Sequence, residues 1–185
     1  MINLNYFKTN LLLLSCILSA LAFGQNAPTK VNTQKILLIN GTAHVGNGKV
    51  IKKSAIGIEN EKIILVKDAL AYTYAKDDYD TIINLLGKHV YPAFIAPNTT
   101  LGLTEIEAVR ASVDERETGT FNPHVRSIIA YNTDSKVTPT VRTNGILVGQ
   151  ITPRGGVISG SSSIVHFDAW NWEDAVYKMD DGIHL

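Results

Sequence analysis

The sequence predicts an α/β fold in two parts: a small β-sandwich over residues 35–90, then a mixed α/β segment over residues 91–185. Three observations predict it. Short apolar runs follow one another between Lys35 and Val90, separated by tight-turn signals, as in small all-β units. After Thr100, helix-start and helix-stop residues alternate with apolar runs. Between the two parts lies a β-type run with Pro punctuation, His89-Val90-Tyr91-Pro92-Ala93-Phe94-Ile95-Ala96-Pro97-Asn98-Thr99-Thr100, ending in small polar residues.

The N-terminus reads as an export signal over residues 1–24. Lys8 is the only charge before the apolar run Leu11 to Phe23, and Ala22-Phe23-Gly24 offers small residues where a signal peptidase cuts, before Gln25. The run is short for a membrane anchor. Apolar residues continue after Cys16, which is wrong for a lipid-modified start. Cys16 is the only cysteine, so the mature chain is expected to have neither disulfides nor thiol chemistry. Residues 25–34 read as a polar linker.

Lys35 to Val45 is apolar enough for a strand, with Asn40-Gly41 and Asn47-Gly48 as tight turns. Ala55 to Ile58, the turn Glu59 to Lys62, and Ile63 to Val66 read as a hairpin. Tyr72 to Asp80 reads as a loop and Thr81 to Leu86 as a strand. Thr104-x-x-Glu107 has capping-box form and predicts a helix from Glu105 to Glu115, with Ile106, Val109 and Val113 on one face. Asn122-Pro123 predicts a short helix carrying Val125, Ile128 and Ile129. Thr138-Pro139 begins another through Arg142, stopped by Asn144-Gly145. Ile146 to Ile151 is a buried strand, Gly155-Gly156 a turn and Ser163 to Phe167 a strand. Asn171 opens a helix to Met179 with acids in its first turn.

The stretch from Pro92 resembles the first barrel strand of the amidohydrolase superfamily, which usually reads Pro-Gly-Phe-Ile-Asp-x-His-x-His. Pro92, Phe94 and Ile95 keep that frame, while Ala93, Ala96, Asn98 and Thr100 stand where the family has Gly, Asp and the two metal-binding His. The preceding order is also similar: Ile36 to Thr42, the hairpin Ile56 to Ile63, then Gly87-Lys88-His89-Val90-Tyr91-Pro92. Asn144-Gly145-Ile146-Leu147-Val148 is similar to the family's strand after the first crossover. The resemblance implies a β-sandwich beside the first βα units of an incomplete (β/α)8 barrel, which needs about 250 residues when whole. It implies a TIM-barrel hydrolase of non-peptide carbon–nitrogen bonds, with a small-molecule amide substrate and a divalent metal, Zn²⁺ or similar, in the complete protein. On this reading the chain is the N-terminal part of a longer protein and is inactive alone.

Residues i and i+2 of a strand share a face, so Asn98 and Thr100 are expected to line a substrate pocket at the strand's C-terminal end. A carboxamide and a hydroxyl are weak ligands, so no metal is expected there. Arg154, beside Gly155-Gly156, is a third pocket candidate for an anionic group. His166 and Asp168 share one strand face and are the candidate metal ligands, although no third ligand lies near them in sequence. Gly155 to Ser163 lacks the lysine of a phosphate loop and the spacing of a nucleophile elbow. Trp170 and Trp172 suit ring stacking or core packing, Asp180-Asp181 reads as solvated loop charge, and His44, His89, His124 and His184 are scattered. Seventeen basic and seventeen acidic residues balance, which argues against nucleic acid or an anionic membrane surface as partner and leaves oligomerisation open. The expected protein is thus an exported, periplasmic or secreted hydrolase, or a non-catalytic binding or scaffold protein that kept the fold and lost the metal.

Overall fold

The computed structural model describes Ser15 and residues 30–185. The expected signal peptide with Cys16, apart from Ser15, and residues 25–29 of the linker lie outside the described residues.

Five strands form the first sheet: β1 (Ile36–His44), β2 (Val50–Glu59), β3 (Lys62–Asp68), β4 (Thr81–Asn84) and β5 (His89–Val90). Their order is β3-β2-β1-β4, with β5 also pairing with β1. Both hairpins form as the turn residues predict. Lys49 N–H donates to Asn47 Oδ1 at 3.0 Å, and Gly48 takes a φ of 86°. Asn60 and Glu61 both take positive φ, 48° and 62°, which matches a two-residue turn to the twist of β2 and β3.

Two expectations for this half are corrected. Asn40-Gly41 makes no turn but lies inside β1, where Asn40 has a φ of 59° and the pairing with β2 slips between Ile39 and Gly41. This is a β-bulge, and a Cβ at Gly41 would stand 2.5 Å from Leu85 Cδ1. Nor do residues 35–90 form a sandwich, because all five strands share one sheet. The β1–β4 pairing is parallel and needs a crossover, residues 69–80. That crossover brings Tyr72, Tyr74 and Tyr79 over Leu37 and Ala55, where a second sheet was expected. The Tyr72 and Tyr79 hydroxyls lie 2.8 Å apart. A separate cluster gathers Ala43, Ile51 and Ile56 with Leu38 and Val90.

The second sheet has the order β6 (Phe94–Thr99), β7 (Ile146–Ile151), β8 (Gly160–His166) and β9 (Val176–His184). β6 and β7 are parallel and joined through α1 (Val137–Thr143); the later pairs are antiparallel. Pro139 falls in α1's first turn, where a missing N–H is harmless, and Gly145 follows the cap residue Asn144 with a φ of 82°. Leu103, Ile128, Tyr131, Ile151, Val165, Phe167 and Ala175 make the core. Burial pushes the Tyr131 phenol up to about 12.

The chain is therefore strand-rich α/β with two sheets and few helices. A βα unit is formed only at β6–α1–β7 among the described residues. The connections 152–159 and 167–175 are shorter than the dozen or so residues of a parallel crossover, so β8 and β9 return antiparallel.

Three helix expectations are corrected as well. Residues 105–115 hold only a 3₁₀ turn, Arg110–Ser112, beside an antiparallel bridge from Thr104 to Val113. The Thr104 hydroxyl donates to Glu115 Oε2 at 3.1 Å instead of capping a helix. Ile106 and Val109 stay exposed, so the helical face had nothing to pack against. Asn122-Pro123 forms a turn, and the 3₁₀ segment begins later, at Ser127–Ala130. Asn171 does cap a helix, α2 (Trp172–Ala175), accepting from Asp174 N–H at 2.8 Å, but the chain then joins β9. The strand expected from Ser163 already begins at Gly160.

Candidate functional site

Because β6 and β7 run parallel, their C-terminal ends lie side by side, with Thr99 opposite Ile151. This is where α/β sheets collect chemistry. Arg154 turns back onto Asn98 there. Its Nη1 donates to Asn98 Oδ1 at 2.5 Å and its Nη2 to the Asn98 carbonyl at 2.7 Å. Asn98 N–H donates to Gln150 Oε1 at 3.1 Å, so the residue is held from three sides.

Two of the three pocket candidates thus meet. Thr100 does not join them in the expected way. Asn98 has a φ of 52°, which interrupts the strand's alternation, and the β6–β7 register slips between Ala96 and Thr99. Thr100 instead lines a cavity of about 600 Å³ with Thr104, Glu107, Arg110, Glu115 and Arg116. Arg116 Nε donates to Glu115 Oε1 at 3.1 Å, so the charges in that cavity are partly paired with each other.

The residues at the strand ends do not fit a divalent metal. Asn98 and Thr100 supply a carboxamide and a hydroxyl where such a metal needs imidazole, thiolate or carboxylate. A cation at Asn98 would also face the guanidinium already bound to its oxygen.

His166 and Asp168 do line one cavity, about 850 Å³, with Asn60, Lys62, Trp170 and Tyr177. One ring nitrogen of His166 and one oxygen of Asp168 are already engaged by other partners. His166 Nε2 lies 2.7 Å from the Asp174 carbonyl, to which it donates, and Asp168 Oδ1 lies 3.1 Å from Arg142 Nη1. No group of three His, Cys, Asp or Glu is placed to hold a metal among the described residues. Trp172 packs on the core, while Trp170 is exposed at the rim of this cavity.

Asp180 and Asp181 are not loop charge; both lie in β9. Arg126 forks onto Asp180, Nε to Oδ1 at 2.9 Å and Nη2 to Oδ2 at 2.6 Å, and the Ser161 hydroxyl donates to Oδ1 at 3.1 Å. The Arg126 hydrogen bonds hold the Asp180 carboxyl below the usual range. Lys178 and Gln150 do the same for Asp181, each 2.8 Å from its carboxylate. A carboxylate depressed in the folded state contributes stability above its unfolded pKa, and loses it as pH falls through the lower folded value. The urea midpoint gap between wild type and Asp180→Asn should hold steady down to about pH 4 and shrink only in stronger acid. A gap unchanged at pH 2 would show that the ion pair contributes nothing.

His44 and His89 prove not to be scattered. His44 Nε2 and His89 Nδ1 lie 2.8 Å apart, and Tyr91 stacks on His44 with centroids 4.2 Å apart and planes at 11°. Neither this pair nor Arg126–Asp180 carries a local sequence signal, since each joins residues more than forty positions apart through strand pairing.

No family model and no curated protein matches the chain. Its fold is similar to that of a solved structure, an amidohydrolase from Thermotoga maritima, with a TM-score of 0.71 and 24% sequence identity. The match covers 80% of this chain and 38% of that one, so this chain spans well under half of its neighbour's length. At that identity the likeness is one of fold alone, over about four-fifths of this chain.

Proposed function

We propose that the chain is the N-terminal part of an exported amidohydrolase-like protein, whose complete form hydrolyses non-peptide carbon–nitrogen bonds of a small linear or cyclic amide. The observation that carries this reading is the meeting of Asn98 with Arg154 at the paired ends of β6 and β7, in a fold shared with an amidohydrolase. A TIM barrel in the complete protein belongs to the same proposal. Within this chain, Arg154 and Asn98 bind and orient; neither has the basicity to draw a proton from water. In this reading, metal ligands lie elsewhere in the complete protein.

The same clamp favours a second reading. With a carboxamide and a hydroxyl at the two family imidazole positions, and a guanidinium bound to the carboxamide, the fold serves as a metal-free binding or scaffold protein. The test is metal content, for Zn, Mn, Fe and Ni, together with turnover of an amide panel by the full-length protein. Stoichiometric metal with amide cleavage supports the hydrolase. Absence of both supports the binding protein and overturns the hydrolase. A gain of bound metal in the double variant Asn98→His, Thr100→His would show that the backbone still presents those two positions to one centre.

A further inference from the structure

We propose that the cavity between the β2–β3 turn and the end of β8 is a binding site for a neutral sugar ring. It lies toward the opposite end of the second sheet from Asn98 and Arg154. His166 pairs with Val148 near the start of β7, while Thr99 pairs with Ile151 at its end. The site therefore does not depend on the amidohydrolase reading.

Two rings supply the stacking surface. Trp170 and Tyr177 both line the cavity and are 59% and 78% exposed. A tryptophan so exposed forgoes a large burial, and here the backbone holds it out. The Trp170 carbonyl accepts from the Thr133 hydroxyl at 2.9 Å, while Ala169 before it and Trp172 after it pack on the core. Tyr177 follows Val176, which packs on the core and pairs with Val165, so alternation turns the tyrosine away from that core. Neither ring stacks on another aromatic among the described residues, so each keeps a free face.

The polar lining offers both donors and acceptors. His166 donates through Nε2 to the Asp174 carbonyl, which leaves Nδ1 an acceptor in the neutral ring. Asp168 meets Arg142 through Oδ1 and keeps Oδ2. Asn60 and Lys62, from the tight turn, bring an amide and an ammonium. The charges nearly balance: Lys30 and Lys62 share the lining with Glu61, Asp168 and Asp174, and Arg142 offsets one of those carboxylates. An anionic ligand would meet the carboxylates and an organic cation the lysines. A wholly apolar ligand would leave the polar groups unpaired. A pyranose satisfies all of them. Its C–H face carries partial positive charge and lies on the electron-rich face of an aromatic ring. Each of its hydroxyls both donates and accepts. The volume of about 850 Å³ falls within the range of small-molecule sites, about 300–1,000 Å³, and leaves room for a short oligosaccharide.

The experiment titrates the full chain with maltotriose, cellotriose and triacetylchitotriose, and with trigalacturonate as the charged control. Tryptophan fluorescence follows binding, and saturation-transfer NMR reads which sugar protons touch the protein. At least one neutral trisaccharide is expected to bind saturably, with its ring C–H protons receiving the transfer. Affinity should fall about tenfold in Trp170→Ala and in Tyr177→Ala, and be largely kept in Trp170→Phe. It should be unchanged in Phe121→Ala, which removes an exposed aromatic outside the cavity. No saturable binding of any neutral trisaccharide, or full affinity in both the Trp170→Ala and Tyr177→Ala variants, would overturn the site. Tighter binding of trigalacturonate would overturn the choice of a neutral ligand. If either alanine variant does not fold, hydroxyl-radical footprinting of wild type with and without the trisaccharides, mapped by peptide mass, decides the matter. Protection of Trp170 and Tyr177 together supports the proposal; equal modification with and without sugar refutes it.

Discussion

Gly102→Ala is expected to lower unfolding stability by about 3 kcal/mol. Two effects add. Gly102 has a φ of 76°, a conformation that costs an alanine about 1 kcal/mol. A Cβ there would also overlap the Cδ2–Cε2 edge of the Tyr131 ring, a core residue, and stand 3.0 Å from the Asn132 carbonyl. Overpacking of that kind costs about 1–3 kcal/mol. The ring has no free side to move to, since Tyr131 packs with Leu103 and Ile128 and is only 6% exposed. Asn132 N–H donates to the Gly102 carbonyl at 2.8 Å, so a backbone shift would also strain that bond. Gly48→Ala is the matched control. Its φ is 86°, but nothing lies within 4 Å of a Cβ there, so only the conformational cost of about 1 kcal/mol should appear. Urea midpoints at unchanged m-value measure both. Equal losses at the two positions would mean that the Tyr131 contact does not matter.

Ile151→Ala should cost about 3 kcal/mol by a different mechanism. Ile151 is fully buried in β7, between Thr99 of β6 and Ser163 of β8, and its carbonyl accepts from the Ser127 hydroxyl at 2.7 Å. Removing the side chain leaves a cavity that strands pinned on both sides cannot close. Leu147, on the same strand but 44% exposed, is the comparison, and Leu147→Ala should stay within about 0.5 kcal/mol. The two variants together test whether the core of the second sheet sits under the strand ends that carry Asn98 and Arg154.

What the sequence disclosed was largely local. The Asn47-Gly48 and Glu59–Lys62 turns, the stop at Asn144-Gly145 and the cap at Asn171 were legible, because each depends on a few adjacent residues. The helix expected over residues 105–115 failed because a capping pattern cannot supply a partner for Ile106 and Val109. The helix expected to run to Met179 failed because Val176 and Lys178 pair with β8, and long-range pairing outweighs local propensity. At the candidate site, the place of Asn98 at the end of a strand was legible. Its direct contact with Arg154 was not, since it depends on a left-handed residue at Asn98 that breaks the period-two count. The histidine pair was hidden for a related reason: a parallel register between distant strands leaves no trace in spacing.

The extra residue at Asn40 has a consequence for anyone trimming or grafting this strand. With it in place, Leu38 and Ala43 belong to one cluster although an odd number of positions separates them. Excising that one position would invert the strand beyond it, turning Ala43 away from the cluster it shares with Leu38. The imidazole of His44 would be carried through to the opposite surface, so this bulge sets which face of the sheet presents everything at the strand's far end.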